Sequence, residues 1–326
     1  EDHPRRPPTV SPSLRLLLGR LAAALVTLLL VVVIVFAVAE FFADPVALAL
    51  GPGASPAEAA RLRAAWGLDQ PALHRLARLL AGLLRGELGL SASGHPVSQL
   101  LARALLPTLA YALPGAALAT VLGLTGGLLA ARRRGHLLDR LTLAAATLLL
   151  SLSGVIVVIF ARDLLAFRAD LFPLVGWPLA GSADPVAPYL ALPALTWALL
   201  QLGPDLRHYR ALFCRELRAP YLDGLRARGL PEATVLRRAL RVAAAPILAR
   251  LVARVPHVFV GGVVLEHVFN VPGLGGLAIA ALRGGDLHLL EGIALTVAAA
   301  TIAAQFLIGD LLAPALDPRL RARGPA

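Results

Sequence analysis

Lysine is absent from this 326-residue chain, so all 31 of its basic residues are arginines. That absence removes the phosphate-binding lysine of an ATP-hydrolysing P-loop and any Schiff-base lysine. A single cysteine, Cys214, excludes an internal disulfide and any multi-cysteine zinc or iron–sulfur site, and it leaves the redox compartment unreadable. No H-E-x-x-H and no G-x-S-x-G string occurs, which removes the common zinc-hydrolase and serine-elbow signatures. Methionine is missing too, even at position 1, so an incomplete or processed start is expected. There is no internal repeat and no low-complexity linker dividing the chain into soluble domains. The heavy use of Ala, Leu, Arg and Gly reads as the imprint of a GC-rich genome.

What the chain does have is apolar length. Hydrophobic residues make up 58% of it and mean hydropathy is +0.74, well above a soluble globular domain. A membrane crossing takes about 20 mostly apolar residues, and six segments qualify: 16–39, 105–131, 141–160, 188–206, 247–269 and 289–315. The first, behind Arg15 and Arg20, has the alternative of a signal peptide, but it is long for one and further spans follow. A net charge of +11 raises the question of nucleic acid; the placement of the charges follows the membrane instead. Residues 1–20, 132–140, 207–254 and the C-terminal tail together carry 22 arginines. The opposite loops, 40–104, 161–187 and 270–288, carry 9 arginines and 9 acids. The positive-inside rule therefore predicts both termini in the cytoplasm.

These boundaries predict an all-α polytopic protein. It comprises a cytoplasmic tail (1–15), a first span (16–39), a helical extracytoplasmic cap (40–104), a core of five further spans (105–315) containing the 207–246 loop, and a second cytoplasmic tail (316–326). In the cap, Ser55-Pro56-Ala57-Glu58 signals a helix start running to Trp66, with a stop at Gly67. Leu73, Leu76, Leu79, Leu80 and Leu83 recur at helical spacing. Arg162 and Asp163 are costly in lipid and are read as interfacial. Prolines 107, 114, 193, 204, 246 and 256 are expected to kink spans, and both tails are expected to be disordered.

The most informative stretch runs from Tyr221 to Pro246, an arginine-rich segment between apolar runs. Asp223, Gly224 and Gly229 describe one short amphipathic helix ending at glycine, and a second helix starts at Leu230-Pro231. Asp223 suits the positive end of a helix, Gly224 leaves room for a partner backbone, and Arg226, Arg228, Arg237 and Arg238 offer pairing with partner carboxylates or lipid headgroups. The bland alternative is a solvated basic loop.

Asp223-Gly224-Leu225, then three residues, then Gly229, with a closing Pro246, resembles the cytoplasmic coupling loop of ABC-importer permeases, whose motif is E-A-A, three residues, G. Asp for Glu, Gly for Ala and Leu for Ala are departures. Asp44-Pro45, the 67–71 string Gly-Leu-Asp-Gln-Pro, Gly86-Glu87-Leu88-Gly89, Phe172-Pro173, the 268–275 string Val-Phe-Asn-Val-Pro-Gly-Leu-Gly and Leu316-Asp317-Pro318-Arg319 are similar to strings of the dipeptide and oligopeptide branch. Nearly the whole chain is covered. The resemblance implies a permease half working with a second permease subunit, two cytoplasmic ATPases that bind ATP and Mg, and an extracytoplasmic solute-binding protein, in a bacterial inner membrane. It implies inward movement of di- or oligopeptides, with nickel, glutathione or opine-like solutes as alternatives on the same architecture. No cofactor, catalytic residue, metal or nucleic acid is expected in this chain, and membrane lipid is a partner. ATPase coupling falls to Tyr221, Asp223, Gly224, Arg226, Arg228, Gly229 and Pro246.

Glu266 and His267 end the expected fifth span. Adjacent helical residues point about 100 degrees apart, so a two-ligand metal face is disfavoured against a structural or gating role. Glu266 also matches the family's Glu in a Val-Glu-x-Val-Phe string. Glu266, Pro272, Gly273 and Gly275, with Gln201 and Gln305 in apolar runs, form the candidate outer gate or pathway. The two glutamines fit inter-helix bonding equally well, and His257 reads as a packed polar residue. Two other classes are weighed. An intramembrane hydrolase would use Ser151 or Ser153 with a histidine. A proton-coupled carrier would need a mid-span carboxylate, which this reading does not find.

Overall fold

The computed structural model describes residues 12–42, 46, 50, 55–65, 68–178, 184–260 and 262–312. Asp44-Pro45, Trp66, Gly67, Leu316 to Arg319, most of the N-terminal tail and all of the C-terminal tail lie outside the described residues. Among those described, the chain is helical apart from an isolated antiparallel bridge between Leu90 and Pro96. The helices are α1 (Pro12–Phe42), α2 (Pro56–Ala65), α3 (Ala72–Arg85), α4 (Val97–Arg132), α5 (Leu137–Ser151), α6 (Gly154–Ala161), α7 (Ala187–Glu216), α8 (Pro220–Ala227), α9 (Glu232–Ala253), α10 (Val255–Val260), α11 (Val263–Phe269), α12 (Leu274–Arg283) and α13 (Leu287–Ala304). π-helical turns, Arg162–Arg168 and Gln305–Leu312, extend α6 and α13.

Four helices, Leu18–Val38, Val97–Arg132, Glu232–Phe259 and Leu287–Ile308, are long and apolar enough to cross a membrane. Two sharply bent pairs, 137–168 and 263–283, raise the number to as many as six. The fold is thus an all-α polytopic membrane architecture, with several boundaries different from those expected. The third expected span is broken at Leu152 and Ser153, which are extended, and its halves meet at 94°. The fourth expected span falls within α7, which runs on to Glu216 and is not among the helices apolar enough by length and composition to cross. The fifth is divided differently: a span-length helical run starts at Glu232 and reaches Phe259 through a turn at Arg254 between α9 and α10, and the chain then enters α11, bent 92° from α12. Hydropathy alone missed that start because Arg237, Arg238 and Arg241 lie in its first turns; Arg250 and Arg254, counted on the basic side, face Asp205 inside the bundle. Removing these two from the 22 arginines of the basic side leaves 20, so the asymmetry persists. Pro107, Pro114, Pro193, Pro204 and Pro246 sit inside continuous helices, while the sharp bends fall elsewhere. His257 is exposed, not packed.

The bundle is organised around α4 and α7, whose pairing is the most extensive in the structure. A row of glycines on α4 makes the approach possible. A Cβ at Gly115 would stand 2.5 Å from the Ala194 carbonyl oxygen, at Gly123 2.6 Å from Cβ of Asp205, and at Gly127 2.7 Å from the Arg210 amide nitrogen. In lipid the hydrophobic effect contributes little between helices, so close backbone contact at small residues supplies the attraction. Tyr111 and Trp197 meet edge to face across this interface, with ring centroids 6.2 Å apart. Asp139 at the start of α5 accepts from Arg210 on α7 and from the Gly135 amide, which fixes the α4–α5 turn. By contrast, the apolar run of α1 is almost wholly exposed, as a lipid-facing or partner-facing helix should be.

The cap is helical as expected. Ser55 and Glu58 form a reciprocal capping box, the Ser55 amide donating to Glu58 at 3.0 Å and the Glu58 amide to the Ser55 hydroxyl at 3.2 Å. The Ser55 amide and then its hydroxyl hold the Glu58 carboxyl below its ordinary range. The leucine stripe of α3 is only half-buried apart from Leu73, which is exposed. The boundary at 104 moves: α4 begins at Val97, which is fully buried, after a tight loop fastened by Asp286. That carboxylate accepts from the Ser91 hydroxyl, the Ala92 amide and, as N-cap of α13, the Leu289 amide. Arg162 is half-buried and Asp163 is paired with Arg168 at 2.8 Å, on the π-helical turn.

The glycine row yields a graded test. Gly123→Ala and Gly127→Ala should each lower stability by about 1–3 kcal/mol through forced separation of packed backbones. Gly154→Ala, whose Cβ would meet its nearest neighbour at an ordinary 3.7 Å, should cost far less. Thermal unfolding of the detergent-solubilised protein measures the order; equal effects at all three positions would contradict it.

Candidate functional site

Two sequence-predicted groups come together in the structure, and a third polar cluster was not anticipated. The first group is a knob built from α8 and the start of α9. Pro220 at the first turn of α8 costs no hydrogen bond, and Asp223 lies in that first turn. Leu222 and Leu225 point inward and pack with Val235 and Ala239 of α9, with Leu217 and Leu230 alongside. Gly229 reverses the chain at φ +72°, a left-handed conformation that a side chain would strain. Arg226 then clips the two helices together, donating from Nη1 to Asp223 at 2.9 Å and from Nε to Glu232 at 2.8 Å. Those bonds, to Glu232 first and Asp223 second, push the guanidinium further above its ordinary range. Arg226 is therefore engaged inside the knob, where the sequence reading had it free for a partner.

What the knob offers outward is different. Arg228, Arg237 and Arg238 are exposed, Gly224 has nothing within 4 Å of its would-be Cβ, and the Asp223 side chain is 74% exposed. Tyr221 is also partly exposed. Pro246 is not part of this surface: it lies inside α9, about 21 Å along the helix from Glu232.

The second group surrounds Glu266, which is 1% exposed. One carboxylate oxygen accepts from the Thr108 hydroxyl at 2.6 Å and the Tyr111 hydroxyl at 3.1 Å, both on α4. The other accepts from the amides of Gly275 at 2.7 Å and Gly276 at 3.1 Å. These two amides belong to the first turn of α12, so Glu266 of α11 caps that helix and neutralises its positive end. The Leu274 amide completes the cradle by donating to the Thr108 oxygen at 2.9 Å. The glycines are small because the carboxylate occupies their side-chain space: a Cβ at Gly273 would fall 2.4 Å from Glu266. Asn270, at φ +55°, ends α11 and turns the chain toward the exposed Pro272.

With four donors on two oxygens, Glu266 is a satisfied structural anion, and His267 is exposed on another side of α11. Among the described residues no group of three or more His, Cys, Asp or Glu is placed to hold a metal. Gln201, half-buried on α7, and the exposed Gln305 are not among the donors to Glu266. The Ser151 hydroxyl donates to the Thr147 carbonyl of its own helix at 2.8 Å, as serine in an apolar helix commonly does.

The unanticipated cluster centres on Asp205 of α7, which is fully buried. It pairs with Arg254, whose Nη1 also donates to Thr120 of α4 at 2.7 Å, and Arg250 Nε stands 3.8 Å from the same carboxylate oxygen. Asp205 and Glu266, near the ends of the expected fourth and fifth spans, are thus both buried within the bundle, and each has a cationic or hydrogen-bonding neighbour. Gln201-Leu202-Gly203-Pro204-Asp205 gave one usable signal, an acid inside a helical run, but its partners are 45 and 49 residues away.

An all-α chain with broken apolar helices and an exposed two-helix knob defines a polytopic transport-type membrane protein. The comparison with known families is decisive: residues 123–322 match the family of binding-protein-dependent transport system inner membrane components, and residues 13–99 match its N-terminal membrane component. The chain belongs to this family and is a permease subunit of an ABC importer. It is 32% identical over 311 residues to a Brucella abortus protein named provisionally as a peptide transport system permease, covering 94% of this chain and 98% of that one. It is 30% identical over 311 residues to the glutathione transport system permease protein GsiC of Escherichia coli K12, covering 94% and 99%. Family membership places the chain in the inner membrane as a multi-pass subunit and implies a partner ATPase and a solute-binding protein.

The Glu266 cradle can be tested directly. Glu266→Ala removes both acceptor oxygens and leaves amide donors of α12 unpaired, at a cost of about 1–3 kcal/mol for each buried group. Unfolding temperature in detergent should fall, and Gly273→Ala should act in the same direction by displacing the carboxylate. His267→Ala should leave it unchanged, so a comparable loss there would refute the assignment.

Proposed function

We propose that this chain is one half of the permease of an importer for small peptides, moving di- or oligopeptides inward, with ATP and Mg bound by its partner subunits. The observation that carries the reading is the knob at Tyr221 to Glu232. It stands outside the apolar spans, is stiffened by Arg226 and Gly229, and is continuous with α9, so a partner gripping it can move a long helix. Its exposed Asp223, Arg228 and Gly224 would form the face that a cytoplasmic ATPase grips. Both termini and this knob would then lie in the cytoplasm, in line with the arginine asymmetry. The opposite loops, 40–104 and 270–288, would meet the solute-binding protein, and the exposed face of α1 would meet lipid or a second permease subunit. The relatives' names support a peptide-sized solute, and glutathione, itself a tripeptide, falls within that class.

Gly229→Val, by straining a left-handed turn, and Asp223→Arg, by reversing the charge at a helix start, should each abolish most co-purification of the ATPase and most uptake. Membrane insertion should be retained, and Gly19→Ala, a position with nothing within 4 Å, should be neutral. Normal assembly and uptake in both variants would leave the segment as a solvated basic loop. Orientation is read separately by cysteine labelling after replacement of Cys214. A thiol at position 228 should label from the cytoplasm and one at position 60 from outside, and the reverse pattern would overturn the topology.

A further inference from the structure

Stability gives little reason for a buried ion pair between α7 and the α9–α10 junction. Removing two charges from water costs several kcal/mol per ion, and an apolar pair of similar volume commonly serves a bundle as well or better. Yet Asp205 is fully buried, Arg254 nearly so, and Arg254 reaches a third helix through Thr120. The position of this contact along the chain gives it a use. The knob and the first turns of α9 are one packed body through Leu222, Leu225, Val235 and Ala239. From Glu232, α9 runs 22 residues, about 33 Å, to the interruption at Arg254. Between those ends and short of Arg250, its buried contact with α7 carries no charge pair among the described residues, Ala243 lying beside Tyr209, Leu212 and Phe213. Such a surface can slide, whereas a charge pair in a low-dielectric interior resists separation and fixes register.

We propose that Asp205 and Arg254 are positioning residues for transport: they form the contact through which displacement of the knob is passed to the α4–α7 pair. Gly123 lies against the Cβ of Asp205, so movement of that residue is felt on α4 by direct packing as well as through Thr120. Arg250 stands one helical turn before Arg254 and provides a second cation that can follow Asp205 if α9 shifts along its axis. The inference rests on the reading of the knob as the ATPase-docking element.

The test uses the complete importer reconstituted in liposomes with its ATPase and solute-binding protein, measuring ATPase co-purification, ATP hydrolysis and uptake per ATP hydrolysed. Single variants leave a lone buried charge, so the decisive form is the apolar pair Asp205→Leu with Arg254→Met, which keeps volume without stranding either partner. The complex should assemble and hydrolyse ATP near the wild-type rate, while uptake per ATP drops about tenfold, the scale of a lost inter-site coupling. An uptake ratio within about twofold of wild type, or failure of the paired variant to assemble, would make the contact structural only and overturn the proposal. Gly229→Val is run beside it. Its defect should be loss of the ATPase from the complex; an intact, active Gly229→Val complex would remove the docking reading, and this inference with it.

Discussion

Satisfaction of buried polar groups governs this architecture. In hydrocarbon no water is available to a free amide or carbonyl, so a helix can be broken only where protein supplies the missing partners. The bend between α11 and α12 meets that requirement through one side chain. Glu266 takes the amides that begin α12 and is itself held by Thr108 and Tyr111 of α4. Because the anchor is α4, the bent pair is positioned against the same helix that forms the α4–α7 core. Gly262 allows the Tyr111 ring to lie against the turn before α11, where a Cβ would be 2.1 Å from the phenolic oxygen. The Gly176 amide, donating to the Phe269 carbonyl at 2.6 Å, ties the loop after the first broken helix to the same point. The break, the glycines and the two hydroxyl groups are thus parts of one solution to one constraint.

The knob obeys a different rule because its polar side chains are exposed. Its ion pairs are exposed and screened, so Arg226 with Asp223 and Glu232 contributes little net stability. What they do is limit the angle between α8 and α9. The apolar contact beneath them, Leu222 and Leu225 of α8 against Val235 and Ala239 of α9, carries most of the attachment. For the proposed docking role, stiffness matters more than strength. Gly229 supplies the turn, the leucines supply the hinge packing, and the arginines outside supply the charge.

How far this was legible in the sequence follows from the range of each interaction. The knob was readable because its parts lie within about twenty residues: helix start, glycine stop, proline restart. The Ser55–Glu58 capping box was readable for the same reason. Glu266 was visible as an odd acid at the end of an apolar run, but its partners Thr108 and Tyr111 are 158 and 155 residues earlier, and hydropathy carries no information on such pairing. The break at Leu152-Ser153 left no proline as a marker, whereas five prolines that suggested breaks were absorbed into intact helices. Counting charges also erred at Arg250 and Arg254, since a window average cannot distinguish a loop arginine from one neutralised by a buried acid.

That last error points to how the membrane and the mechanism meet. A permease must keep its helices apolar toward lipid while retaining contacts that hold register when they move, and charge placed inside the bundle does both if its partner is on another helix. Asp205 sits where Gly123 packs α4 against α7, and Arg254 sits where α9 gives way to α10. A contact at the end of one helical segment and beside a close helix crossing would have, on the proposed role, leverage that the same pair would lack in mid-helix. The buried charges and the glycine row are therefore interdependent. Without the glycines, α4 and α7 would stand too far apart for Thr120 and Asp205 to share one arginine. Without the arginine, Asp205 would be an unpaired buried charge beside a helix crossing that the glycines alone make possible.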